Sequence, residues 1–342
     1  MHSTADHEFG FELRVCAWAE RHWPPESDDR RPVIVARQLG TQRRRWDTVV
    51  VEVDPDALER RSAFGEDRLD SDLLHVVRHA PASWEYYRDA LPHPGYPWRY
   101  VREAIHRAAD RGALESRKRD NRIEIRRIAP YPDWVERVIA IENKPDLDAS
   151  AARALGGQVE RDVAYGLADE VWVATRQTEE RVEPALLEDL PVEAGILAVG
   201  AGTASVLWYP RTLAVDAPGT VIEDRGSETK FGATAGTFSY ADPAEKREKR
   251  LAIAERAYER GWRSYVDTMR PDCRHYVLGR AGEGYVPTCN AKDREQTAAE
   301  CRGSCPHFEP EPPVWRQRGW PIEGGPGKTI RGVLADRRSR KR

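Results

Sequence analysis

At 342 residues the chain is long enough for two domains and a substantial core. Charged residues make up 32% and mean hydropathy is −0.71, and no run approaches the ~20 apolar residues that cross a bilayer, which excludes a helical membrane protein. The opening "MHSTADHEFGFEL" has neither the basic nor the apolar region of a signal peptide, so a cytosolic location is expected. The net charge of −3 conceals a bias: of 54 basic residues, 46 are Arg and 8 are Lys. It also conceals local asymmetry, since residues 99–127 hold ten basic side chains against five acidic ones. Concentrated basic surface on a near-neutral chain is compatible with a phosphate-backbone partner.

Taken in chain order, residues 9–23, "FGFELRVCAWAERHW", have the apolar spacing of a helix. "PVIVARQL" and "WDTVVVEVD" are β-branched runs on either side of the polar "GTQRRR", the pattern of a hairpin. Then "LDSDLLHVVRHA", "SWEYYRDAL" and "PWRYVREAIHRAADRGALE" predict three helices, and "SRKRDNRIEIRRI" predicts two short strands around Asp120-Asn121. Next come a strand, "ERVIAIEN", a helix, "DASAARALGGQVERDVAYGLA", and a strand, "DEVWVAT". "AGILAVG" and "SVLWYPR" predict further strands, so the core is expected to be mixed α/β. A charged helix over 243–267 precedes a cysteine-rich lobe, and from 309 a Pro/Gly-rich basic tail is expected to be disordered. Within that tail "GGPGKT" is not a phosphate loop, because the required first Gly falls on Ile322.

Two features carry chemistry. At the end of "RVIAIENKPDLD", Glu142 and Lys144 stand two apart, which puts them on one face of a strand. A carboxylate beside an ammonium at a strand end can hold a divalent ion and orient a phosphate or a water. Mg²⁺ takes one or two carboxylates plus phosphate oxygens, and Asp47, opening "WDTVVVEVD", is the candidate for the second. Solvated strand-end and turn residues would leave the same pattern. The second feature is Cys273-x15-Cys289-x11-Cys301-x3-Cys305. Clustered cysteines in a cytosolic chain point to metal rather than disulfides, and the spacing leaves zinc, with His275 or His307 as substitutes, and iron–sulfur both open.

The segment "AIHRAADRGALESRKRDNRIEIRR" resembles the recognition helix and wing of winged-helix proteins. Arg102, Arg107, Arg117, Lys118, Arg119 and Arg122 would then contact nucleic acid; a helical insertion with a solvated basic face is the other reading. The order of helix with Glu12, hairpin with Asp47, strand ending in Glu142-Asn143-Lys144, helix with Gln158 in "GGQVERDVAY", and the strand "ADEVWVAT" resembles the PD-(D/E)XK nuclease superfamily, RecB-like branch. The resemblance implies a restriction-endonuclease-like mixed sheet flanked by helices. The core would comprise 9–66 and 129–215, with an inserted winged-helix-like module at 67–128 and a helix plus Cys-rich lobe at 243–308. Asp47 and Glu142 would hold Mg²⁺ or Mn²⁺, and Lys144 would orient the attacking water. Gln158 and Glu12 would support the site. Cys273, Cys289, Cys301 and Cys305 would hold a [4Fe-4S] cluster or zinc, with Cys16 a possible distal ligand. The expected activity is DNA phosphodiester hydrolysis; the rival is a non-catalytic DNA-binding regulator or repair accessory protein, sensing redox through the lobe. Two departures are visible: Trp46 stands where the family has Pro, and Asp162 where its Gln-containing helix carries Tyr. Tyr165 shares a helix face with Gln158.

Overall fold

The structure, a computed structural model, describes residues 8–177, 188–200, 202–224, 228–229, 232–233, 236–262, 269, 273–281, 284–297, 299–301 and 305–310. Val33–Gly40 (β1) and Arg45–Val53 (β2) form the expected hairpin, and β2 pairs antiparallel with Val135–Asn143 (β6). β6 runs parallel to Glu170–Arg176 (β7) and β7 parallel to Gly195–Val199 (β8), while Ala204–Trp208 (β9) closes the far edge antiparallel. The result is one mixed sheet in the order β1-β2-β6-β7-β8-β9. From Thr48 to Val53 every residue of β2 is buried, because both sheet faces are covered and the alternation of a half-exposed strand is lost. On one face Glu8–His22 (α1) packs Phe11, Val15 and Cys16 against Val50, Ile139 and Ile141. On the other, Ala149–Tyr165 (α6) and Pro243–Arg260 (α7) pack Val159, Ala254 and Tyr258 against Val51, Val138 and Ala140. Asp148 caps α6 by accepting from the Ala151 N–H, and Gly166 ends it in the left-handed conformation at φ 57.

Between β2 and β6 the chain makes a long excursion that starts and finishes at one point, where the Asp54 N–H donates to the Trp134 carbonyl at 3.1 Å. It contains Pro55–Ser62 (α2), Ser71–His79 (α3), Glu85–Tyr86 (β3), Tyr87–Ala90 (α4), Trp98–Asp110 (α5), Leu114–Arg119 (β4) and Arg122–Arg127 (β5). The three strands pair as β3-β5-β4. Leu73, Val76, Val101, Ile105 and Ile125 belong to a core distinct from those of the large sheet. The middle expected helix is different: "SWEYYRDAL" gives a two-residue strand and a single helical turn. Glu85 and Tyr86 pair with Ile125 and Glu124, and the Trp and two Tyr of this stretch suit a pleated surface better than a helix. Asp120 and Asn121, at φ 47 and 61, make the tight left-handed turn of the β4–β5 hairpin.

After β9 come a ribbon of Gly219–Asp224 (β10) and Thr237–Ala241 (β13) and a short ladder of Glu228–Thr229 (β11) with Gly232–Ala233 (β12). Beyond α7, Tyr276–Ala281 (β14), Gly284–Cys289 (β15) and Arg294–Glu295 (β16) form the cysteine lobe, whose Cys273, Tyr276 and Val286 join the core beneath α1. The helix expected over 243–267 stops at Arg260, capped by Gly261 at φ 61; residues 263–268 and the tail beyond 310 lie outside the described residues. No helix among the described residues is long and apolar enough to cross a membrane.

One buried network ties the excursion to α7. Arg61 of α2 is fully buried and donates through Nε and Nη2 to the two carboxylate oxygens of Glu255, each at 2.6 Å. Glu255 also accepts from the Leu69 N–H at 2.7 Å and the Tyr131 hydroxyl at 2.6 Å. The Arg61 guanidinium lies 4.2 Å above the Tyr258 ring. Removing one partner strands the other charge in a dry interior. Glu255→Ala is therefore expected to cost about 3–5 kcal/mol in urea unfolding; a loss below about 1 kcal/mol would show that the network does not anchor the excursion.

Candidate active site

The carboxyl-terminal end of β6 carries the site. Glu142 is buried, and both its oxygens are engaged: Oε1 accepts from Arg44 Nη2 at 2.5 Å and Oε2 accepts from Gln158 Nε2 at 2.6 Å. Gln158 projects from the middle of α6, which the β6–β7 crossover lays against the sheet. Asp47 reaches the same strand end from β2, where its Oδ2 accepts from the Asn143 N–H at 3.0 Å. Its Oδ1 accepts from Gln38 Nε2 at 3.1 Å, and that amide also donates to Glu12 at 3.0 Å. Gln38 falls between the Arg37–Thr48 and Leu39–Trp46 pairs of the hairpin and holds φ 54. Glu12, on α1, is gripped by the fork of Arg37 at 3.0 and 2.8 Å. Four expected site residues thus gather at the end of β6 in two hydrogen-bonded chains, Glu12–Gln38–Asp47 ending on the Asn143 N–H, and Gln158–Glu142–Arg44 beside it.

Lys144 does not join them. Its ammonium pairs with Glu8 of α1 at 3.6 Å rather than with Asp47 or Glu142. The backbone is not the cause: the Lys144 N–H still donates to the Ala174 carbonyl of β7 at 2.8 Å, so the strand course continues past Asn143 and it is the long, half-exposed side chain that turns to Glu8.

Two residues central to the geometry carried no expectation of a role in the site. Arg44, in the hairpin turn, donates to Asp162 through Nε at 3.0 Å and Nη2 at 2.8 Å while it also holds Glu142. Asp162 is buried one helical turn after Gln158. The only sequence signal for it was that spacing of four, which puts both side chains on one face of α6. Burial, and after it the negative charge of Asp47, push Glu142 up to about 8, with Arg44 opposing. Burial likewise raises Asp162 and Glu12, each opposed by its own arginine.

The six basic candidates of the excursion divide. Arg107 is paired with Asp70 at 2.6 Å; Arg117 is paired with Glu124 at 2.7 Å and stacked on Trp84 at 4.2 Å. Arg119 lies 3.8 Å from Asp120, and Arg122 sits over Tyr86 at 5.2 Å. Arg102 and Lys118 are exposed.

Cys273, Cys289, Cys301 and Cys305 line one small cavity of about 20 Å³ together with His307. His275 instead lies 3.5 Å from Glu309. Cys16 is not among the residues lining the cavity: it is fully buried between α1 and β2, 3.4 Å from the Thr48 hydroxyl, and burial pushes its thiol up to about 12. Among the described residues, no group of three or more His, Cys, Asp or Glu side chains is arranged to hold a metal ion.

A family model described as DUF5787, a family of unknown function, matches residues 34–310. The chain belongs to this family. No curated protein and no solved structure matches it. The DUF5787 match takes in Asp47, Glu142, Gln158, Arg44, Asp162 and all four lobe cysteines, and begins after Glu12 and Cys16.

The raised carboxyl gives this DUF5787 member a pH signature. With Glu142 lifted from 4.5 to about 8 in the folded state, the native protein keeps a proton that the unfolded chain has already lost between those values. That contribution is fully present below the lower value and is lost as pH rises through the upper one. Chelator-treated protein is therefore expected to melt at a lower temperature near pH 8 than near pH 5, and Glu142→Gln to reduce that difference; identical pH dependence in the two proteins would refute the assignment.

Proposed function

We propose that this chain is a divalent-metal-dependent hydrolase of DNA phosphodiesters. The observation that carries the reading is the convergence of Asp47 and Glu142, on strands separated in sequence by the whole excursion, at one sheet end with Gln158 bonded to Glu142. The donor set fits Mg²⁺ or Mn²⁺: two hard carboxylates, the second raised in part by the charge of the first, are groups a divalent cation relieves. Arg44 supplies that counter-charge in the structure. Such an ion, when bound, would act as a Lewis acid and lower the pKa of an attacking water.

The chain's own residues do the rest. The Asn143 N–H and Gln38 fix Asp47, and Gln158 fixes the outer oxygen of Glu142. Arg44, tethered by Asp162, faces the phosphate and offsets its charge. Lys144 is half-buried and its exposed partner Glu8 holds it weakly, so it is free to turn toward the phosphate or the water.

The strand order β1-β2-β6-β7-β8-β9, with its parallel β6-α6-β7 unit, supports a restriction-endonuclease-like core. The succession α3-β3-α4-α5-β4-β5 with sheet order β3-β5-β4 supports a winged-helix module. Arg102 of its third helix and Lys118, Arg119 and Arg122 of its wing would contact backbone phosphates, with affinity falling steeply with salt. Four thiols on one cavity supply the donors that a [4Fe-4S] cluster or zinc takes, and we assign such a group a structural role in the lobe. A visible charge-transfer band and stoichiometric iron in anaerobically purified protein are expected for the cluster; colourless protein containing zinc selects the other metal, and protein with neither refutes a metal in the lobe.

The displacement of Lys144 toward Glu8 favours a second reading, a non-catalytic DNA-binding regulator or repair accessory protein on the same scaffold. Cleavage of plasmid and single-stranded DNA with Mg²⁺ or Mn²⁺ separates the two. Hydrolysis is expected, with Glu142→Ala and Lys144→Ala each lowering it at least about 100-fold. Cleavage untouched by both substitutions rules out this site, and binding without cleavage selects the second reading.

A further inference from the structure

Beside Gln158 and Arg44 opens a cleft of about 920 Å³, walled by the β1–β2 turn, α6, the β10–β13 ribbon and the first turns of α7. Arg43, Arg44, Arg45, Arg161 and Lys249 line it, against the carboxylates of Asp162, Glu223 and Glu245. Those three acids are already engaged, by Arg44, by Arg43 at 3.2 Å and by Lys249 at 2.5 Å. Arg45 and Arg161 are exposed, and Arg161 acts only electrostatically on Asp162, a carboxylate that Arg44 already engages. They leave the cleft a surplus of positive charge directed at solvent.

Aromatic surface accompanies the charge. Tyr165 and Tyr240 line the same cleft. Tyr240 is 78% exposed. Rings that open to water contribute little to a core. An exposed ring beside arginines is the kind of surface on which unstacked bases stack. The opening is also bridged, because the Arg43–Glu223 pair runs from the hairpin turn to the ribbon. A pair across the mouth hinders a rigid duplex, whose bases are in any case stacked inside, more than a single flexible strand. At the floor, Arg44 Nη2 contacts Asp162 and Glu142 together.

We propose that this cleft seats a single nucleic-acid strand, with bases stacked on Tyr240 and phosphates held by Arg45 and Arg161, and leads it to Glu142. The role of the floor rests on the hydrolase reading; the binding does not. The seat is separate from the basic face of the winged-helix-like module, so the protein has two nucleic-acid surfaces of different strandedness.

The test is fluorescence anisotropy on the full chain in chelator, with a labelled single-stranded oligonucleotide of mixed sequence and the same oligonucleotide annealed as a duplex. Tyr240→Ala is expected to weaken single-strand binding about 5- to 100-fold and to leave duplex binding unchanged, with Tyr240→Phe restoring affinity. Arg161→Ala is expected to reduce the salt slope for the single strand by about 0.7. Single-strand affinity unmoved by Tyr240→Ala and Arg161→Ala, or single-strand and duplex affinities falling together, overturns the proposal. The two readings fail separately. Cleft-dependent binding without metal-dependent cleavage sinks the hydrolase and leaves the cleft. Cleavage abolished by Glu142→Gln yet untouched by the cleft variants sinks the cleft and leaves the hydrolase.

Discussion

Two buried carboxylates, Glu142 and Asp162, share one guanidinium, and the candidate site is organised around that sharing. Taking a carboxylate out of water costs several kcal/mol unless a cation and hydrogen bonds compensate it. Arg44 does so for both, from a turn that belongs to neither of their elements. The arrangement closes the end of β6 against α6 and fixes the hairpin turn to the helix. It also sets a competition. Arg44 occupies Oε1 of Glu142, so under the proposed metal-dependent reading a divalent cation at Glu142 would have to compete with that guanidinium. Asp162 keeps the arginine close in either case, poised between carboxylates and cleft.

The sheet can present this site only because the long excursion between β2 and β6 does not disturb their pairing. The Asp54–Trp134 bond pins both ends of the excursion together where β2 ends and β6 begins, at one end of two interior strands. The Arg61–Glu255 pair, with the Tyr131 hydroxyl and the Leu69 N–H, fastens its first helix and its return to α7. Every hydrogen-bonding group of the Glu255 carboxylate is occupied, which is what makes a fully buried charge tolerable. The excursion with its own core is thereby attached to the framework that holds Asp47 and Glu142.

How much of this could be read from residue order follows from the range of the forces involved. Periodicity and turn chemistry marked α1, the β1–β2 hairpin, β6, α6, β7 and the β4–β5 turn, because backbone hydrogen bonding and the burial of an apolar face act over a few residues. They failed at "SWEYYRDAL", where pairing with β5 overrode local helix preference. The convergence of Asp47 with Glu142 was an expectation built on a family resemblance. Asp162 looked like a departure from that pattern and Arg44 like one of three neighbouring arginines. Nothing local distinguishes an arginine that will reach across to another helix from one that will point to water.

From its sequence alone, then, the protein's class was determined: a polar α/β chain with carboxylates at strand ends, a basic excursion and a cysteine-rich end. Tertiary structure decided which charges meet. It brought Gln38, Arg44, Asp47, Glu142, Gln158 and Asp162 to one place, sent Lys144 to Glu8, and opened a tyrosine-lined cleft beside them. The reason is that secondary structure is set by neighbours along the chain, whereas the partner of a charged side chain is set by sheet register and helix packing between segments a hundred residues apart.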